Sequence, residues 1–140
     1  NLEANGIHLA PAICFEIAFP RQVAANLYAN TDMIITVSND AWFGRSHGPA
    51  QHLEIARMRA LEFGRPVLRA TNNGISAFID AKGQITARLP QFEAGSLTAA
   101  VTATEGLTPY RQLGDLPMGI LLTLLLIVSI TSKKHRRLFS

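Results

Sequence analysis

The sequence predicts an α/β fold followed by one C-terminal transmembrane helix, and three observations carry that expectation. Short apolar and β-branched runs alternate with two helical patterns, as expected of strands linked by helices. The stretch from Leu116 to Ser132 holds no charged residue and is dominated by Leu, Ile and Val. The 140 residues are 48% hydrophobic with a mean hydropathy of +0.17, so part of that apolarity is expected to face lipid.

The first element is the apolar run Ile7 to Cys14, interrupted by Pro11, which reads as one or two short strands reaching a sheet edge. Phe19-Pro20-Arg21-Gln22-Val23 opens a helix, since proline suits the first helical turn. The helix is expected over Arg21 to Asn30, with Val23, Leu27 and Ala24 inward, and Asn30-Thr31-Asp32 forms a turn. Met33 to Ser38 is a nearly continuous β-branched run, the pattern of a strand buried on both faces. The loop Asn39 to Gly48 is rich in turn formers yet holds Trp42 and Phe43, which either cap the core or line a pocket.

Pro49 to Phe63 is the longest helix expected before the apolar stretch. Proline sits at its start, and Gly64 with Pro66 marks its end. Leu53, Ala56, Ala60 and Phe63 make its apolar stripe. Glu54 with Arg57, and Arg59 with Glu62, are spaced to pair on a solvated or interface-facing side. Val67 to Thr71 is a further strand, Asn72-Asn73-Gly74 a turn, and Ile75–Ile79 and Ile85–Leu89 a β-hairpin with Gly83 at its special position. Gly95 to Thr102 is read as a last strand.

The run 116–132 is roughly 17 residues, or about 25 Å as a helix, against a hydrocarbon core near 30 Å. Asp115 and Lys133 at its ends can snorkel to make up the difference. A buried core helix is the alternative, but the ending Lys133-Lys134-His135-Arg136-Arg137 favours a span. The positive-inside rule then puts the tail in the cytoplasm and Cys14 on the opposite side.

Composition excludes several classes of function. Four of the 13 basic residues lie in that tail, leaving nine against 10 acidic residues elsewhere, so no basic face remains to track phosphates. The single cysteine, Cys14, rules out an internal disulfide. His47 and His52 lack the spacing and carboxylate partners of a metal site. The chain starts at Asn1 without a visible signal peptide, and a piece of a longer protein is expected.

Cys14 has two readings of its own. A lone cysteine in an apolar run is commonly a small buried hydrophobe. On a strand-to-helix turn it is alternatively an exposed nucleophile, with backbone N–H groups at hand for an oxyanion. A thiol there needs a base or nearby positive charge to ionise, its free pKa being about 8.5.

Ile13-Cys14-Phe15-Glu16 followed by Phe19-Pro20 resembles the nucleophile segment of the nitrilase, or carbon–nitrogen hydrolase, superfamily. Further stretches narrow the resemblance: Ser38-Asn39-Asp40-Ala41-Trp42-Phe43-Gly44, Gln51-His52, Ala56 to Glu62, Arg69-Ala70-Thr71-Asn72-Asn73-Gly74 and Gly106-Leu107-Thr108-Pro109-Tyr110. In that order they are similar to the C-terminal part of the apolipoprotein N-acyltransferase family of bacterial inner-membrane enzymes.

The resemblance implies the C-terminal half of a nitrilase-like α-β-β-α sandwich over 1–110, a linker at 111–115, a transmembrane helix at 116–132 and a basic cytoplasmic tail at 133–140. It implies a Glu-Lys-Cys triad with Cys14 as nucleophile and the glutamate and lysine upstream. Phe15 stands where tyrosine is common and keeps its backbone N–H as an oxyanion donor, while Glu16 is a second, supporting acidic residue. Trp42 and Phe43 would line the pocket. The implied reaction moves a fatty acyl group from a phospholipid, through a cysteine thioester, to the N-terminal diacylglyceryl-cysteine amine of an apolipoprotein, without metal or organic cofactor. The catalytic domain would then be periplasmic. A nitrilase-like amidase acting on a small C–N substrate, and a non-catalytic membrane-anchored fragment, are the alternatives.

Overall fold

The computed structural model describes residues 1–138, with side chains through residue 132. It divides into two compact units, residues 1–108 and a second beginning at Pro109.

The first unit is built on a six-stranded mixed sheet. Its strands are β1 (Leu2–Ala4), β2 (Ile7–Ile13), β3 (Met33–Asn39), β4 (Val67–Asn72), β5 (Ala77–Ile79) and β6 (Ile85–Arg88), adjacent in chain order. β2, β3 and β4 run parallel, and the outer pairings are antiparallel. Parallel neighbours need crossover connections. These are α1 (Pro20–Ala25) and α2 (Gly48–Phe63), which pack against one another over the same face of the sheet.

Register explains which side chains form the core. Ala10, Ile34 and Val67 are cross-strand partners, as are Ala12, Thr36 and Arg69, and all six are buried beneath the helices. The alternate row, Ile13, Val37 and Ala70, is exposed, with Val37 at 43%. The composition of β3 predicts burial on both faces, but only one face is covered within these residues. Pro11 falls where β1 has already ended, so β2 is an edge there and a missing N–H costs least.

α2 follows its expected boundaries and stripe, with Leu53, Ala56, Ala60 and Phe63 buried. It ends at Gly64, left-handed at φ 60°, whose N–H bonds Ala60. The Arg59–Glu62 pair is not on a solvated face: its side chains are only 9% and 16% exposed. α1 stops five residues before the expected Asn30. The buried Thr31 hydroxyl accepts the Tyr28 N–H at 2.8 Å and turns the chain out of the helix.

Gly95 to Thr102 is not a strand. Its β-branched residues carry that signal, but the segment around it is held by side chains instead of a ladder. Arg65 donates to Thr31 O and Gly106 O, both at 2.6 Å, and Thr104 and Thr108 donate to the carbonyls of Gly64 and Glu62. Burial pushes the Arg65 guanidinium below its ordinary pKa, with Asp32 and Glu105 acting against that shift. β1, for which the sequence gives no clear signal, caps the sheet through a turn with positive φ at Asn5 and Gly6.

The second unit contains α3 (Pro109–Leu113) and α4 (Leu116–Leu138), joined through Gly114 at φ 54°. The run 116–132 is helical. Its apolar side chains are exposed, Ile120, Leu122 and Leu126 by half or more. Among the described residues, however, no helix is long and apolar enough to cross a membrane. The expected cytoplasmic tail, 133–140, lies outside the residues whose side chains are described.

Candidate active site

β2 ends at Ile13, and the next residue turns sharply. Cys14 has φ 53°, a left-handed conformation that costs an L-residue roughly 1–2 kcal/mol. It opens a 3₁₀ turn over Cys14–Ala18, anchored by the fully buried Ile17. The first N–H groups of such a turn have no acceptor within it. Glu16 clasps the turn from outside: its Oε2 accepts the Ile13 N–H at 2.7 Å. Phe15 is exposed and stacks edge-on to Phe19 with ring centroids 5.6 Å apart. Cys14 is half-buried and free of any disulfide, so it is not a core hydrophobe.

An open, mostly apolar concavity lies over the thiol. Ile13, Cys14, Val37, Ser38, Asn39, Ala70, Thr71 and Asn72 line it, so it sits at the C-terminal ends of the three parallel strands. Ligands of open α/β sheets bind at that end. Trp42 and Phe43, expected as pocket lining, are not among those walls. Trp42 projects with 85% of its surface exposed, whereas Phe43 packs edge-on to His52 at 6.1 Å.

Behind the thiol lies a polar cluster to which sequence reasoning assigned no role. Asp40 is buried and accepts from three sides: Arg69 Nη2 at 2.6 Å, Ser38 Oγ at 2.6 Å and His52 Nδ1 at 3.0 Å. Ser38 Oγ is also 3.4 Å from Cys14 Sγ. His52 is 2% exposed, and its ring lies 6.2 Å from that of Phe15. Burial pushes the Arg69 guanidinium below its ordinary pKa, while Asp40 and, more weakly, Cys14 push it back. Gly74 closes the cluster, since a Cβ there would run into the Asp40 carboxylate. One signal points here: Arg69 is a charge inside an apolar strand, and a charge so placed requires a buried partner.

The carbon–nitrogen hydrolase family profile matches residues 2–110. The chain belongs to the carbon–nitrogen hydrolase family. Among curated proteins it is 57% identical over 118 residues to an apolipoprotein N-acyltransferase of Photobacterium profundum, covering 84% of this chain and 23% of that protein. It is 51% identical over 137 residues to the enzyme of that name in Shewanella oneidensis, covering 98% and 26%. For the one in Azotobacter vinelandii the identity is 49% over 136 residues, covering 97% and 26%. The chain thus spans about a quarter of the length of the curated relatives it matches. Among solved structures it is similar to a cysteine-to-alanine mutant of Nesterenkonia AN1 amidase from the nitrilase superfamily. The TM-score is 0.54 at 21% identity, over 67% of this chain and 37% of that one. That likeness supports the carbon–nitrogen hydrolase fold.

Proposed function

We propose that this chain carries the nucleophile of an apolipoprotein N-acyltransferase, with Cys14 forming an acyl thioester. The observation that carries the reading is the left-handed turn that presents Cys14 over the strand ends, in a chain 49–57% identical to enzymes of that name. Thiolate attack on a phospholipid ester breaks the acyl–oxygen bond and leaves the acyl group on sulfur and a lysophospholipid free. The N-terminal amine of a diacylglyceryl apolipoprotein then attacks the thioester, forming an amide and returning the thiol.

In this reading Phe15 supplies a backbone N–H to the tetrahedral oxyanion at the start of the 3₁₀ turn. Glu16 is a positioning residue, because its carboxylate fixes the strand end from which Cys14 springs. Trp42, exposed on the short turn Ala41–Phe43 that follows β3, offers an aromatic ring suited to an amphipathic surface. The family's glutamate base and lysine match no position in these 140 residues, and we expect the 140 residues alone to be inactive. Residues 116–132 act as the membrane anchor, supported by their uncharged composition and basic flank, with the tail cytoplasmic and Cys14 on the opposite side.

The test is to incubate the full-length protein with labelled phospholipid and search for the adduct by mass spectrometry. An acyl group on Cys14 that a diacylated lipopeptide discharges is the expected result. Acylation of that lipopeptide by a Cys14→Ala variant overturns the assignment.

A further inference from the structure

Ser38 Oγ stands between two partners, 2.6 Å from Asp40 Oδ1 and 3.4 Å from Cys14 Sγ. A hydroxyl has one proton and two lone pairs. The short bond to a carboxylate outweighs a long one to sulfur, so the proton lies on the Asp40 side. Ser38 therefore turns a lone pair toward Cys14, and the thiol becomes the donor across that gap. To ionise, Cys14 must give up this bond and then either face a lone pair or draw the Ser38 proton away from Asp40. Either course loses a hydrogen bond that a site without the hydroxyl would not have to lose.

We propose that the Ser38–Asp40 couple holds Cys14 as a resting thiol, releasing it as a nucleophile only when a base takes its proton. Among the described residues, the titratable groups around the turn are Glu16 on the turn itself, Asp40 after β3, His52 on α2 and Arg69 on β4. Glu16 is engaged by the Ile13 N–H. His52 is bonded through its Nδ1 to Asp40. Arg69 works in the opposite sense, favouring the thiolate, but its charge is offset by Asp40 at 2.6 Å. A cysteine kept as thiol in an open concavity is protected from stray electrophiles and oxidants, which react with the thiolate.

The inference rests on the reading of Cys14 as nucleophile, but its test does not pass through acyl transfer. The full-length protein is alkylated with iodoacetamide over a pH series, and modification of Cys14 is read by peptide mass spectrometry. Ser38→Ala is expected to move the midpoint of the alkylation profile down by about half to one pH unit, or roughly three- to ten-fold faster modification below the wild-type midpoint. Ser38→Thr keeps the hydroxyl on a side chain suited to a strand and is expected to restore the wild-type profile. A Ser38→Ala midpoint that stays in place or moves up overturns the proposal, as does a Ser38→Thr profile matching that of Ser38→Ala. A role in packing alone changes the melting temperature without moving the midpoint, which is the first of those overturning results. Absence of an acyl adduct on Cys14 would count against the acyltransferase reading and leave this measurement standing.

Discussion

Asp40 Oδ2 and Arg69 Nη2 lie 2.6 Å apart with both side chains wholly removed from solvent. Such a pair sits in a sheet-and-helix core because each charge satisfies the other, and Ser38 and His52 take up the second carboxylate oxygen. Removing one partner leaves an uncompensated buried charge. Asp40→Ala or Arg69→Met alone is expected to cost about 3–5 kcal/mol, and the double substitution less than the sum. Denaturant unfolding of the full-length protein and its variants measures this. Arg69's guanidinium is lowered by burial, so the folded state binds that proton less tightly than the unfolded chain does. Stability from this group therefore rises with pH only in the alkaline window between its folded and ordinary values. From about pH 6 to 8 its contribution is expected to be flat.

Gly74 is the lid of that cluster. A methyl group there would overlap the Asp40 carboxylate, which is held on both oxygens and has nowhere to move. Gly74→Ala is expected to lower stability by about 1–3 kcal/mol, the usual range for overpacking, and a thermal melt reads the loss.

Cys14 stores strain in its backbone. Glycine tolerates φ near +53° without the steric cost that a side chain brings, although a more flexible unfolded chain offsets part of that gain. Cys14→Gly is expected to abolish acyl transfer while leaving the protein as stable as wild type or more so, by up to about 1 kcal/mol. A clear destabilisation measured by urea unfolding would contradict the view that the turn is strained for the sake of its thiol.

Glu16 separates geometry from charge. Glu16→Gln keeps an oxygen able to accept the Ile13 N–H, whereas Glu16→Ala loses it. Thioester formation is expected to be largely retained in the first and to fall by about 10- to 100-fold in the second, the scale of a nucleophile displaced by an ångström. Equal loss in both variants would show that the negative charge matters more than the clasp.

Leu125 lies midway along the uncharged run. If 116–132 anchors the protein, Leu125→Arg opposes insertion by about 2.5–3.5 kcal/mol. The variant is expected to shift toward the alkali-extractable fraction of membranes, with Leu125→Ile as the neutral control.

The elements most legible in the sequence are those with a strong local pattern. The β-branched run of β3, the proline-to-glycine limits of α2 and the Gly83 turn all fall where expected. What fails depends on distant partners. Thr98, Val101 and Thr102 give the stretch 95–102 the look of a strand, but Arg65 and two threonines fasten the chain around it by side chain. The site divides in the same way. The turn at Cys14 is carried by a short contiguous motif, whereas Ser38, Asp40, His52 and Arg69 come together only through the β3–β4 register and the packing of α2. Trp42 and Phe43 are conspicuous by composition, yet neither side chain lines the concavity over the thiol.

The parallel pairing of β3 with β4 also acts as a ruler for the chemistry. Side chains alternate across a strand, so a one-residue insertion or deletion within 33–38 would exchange Ser38 for an apolar or amide neighbour at the sulfur and swing Thr36 out of the core. Length changes should therefore be tolerated in the irregular stretch after β6 and be ruinous in β3, where a shift of a single position misplaces every side chain at once.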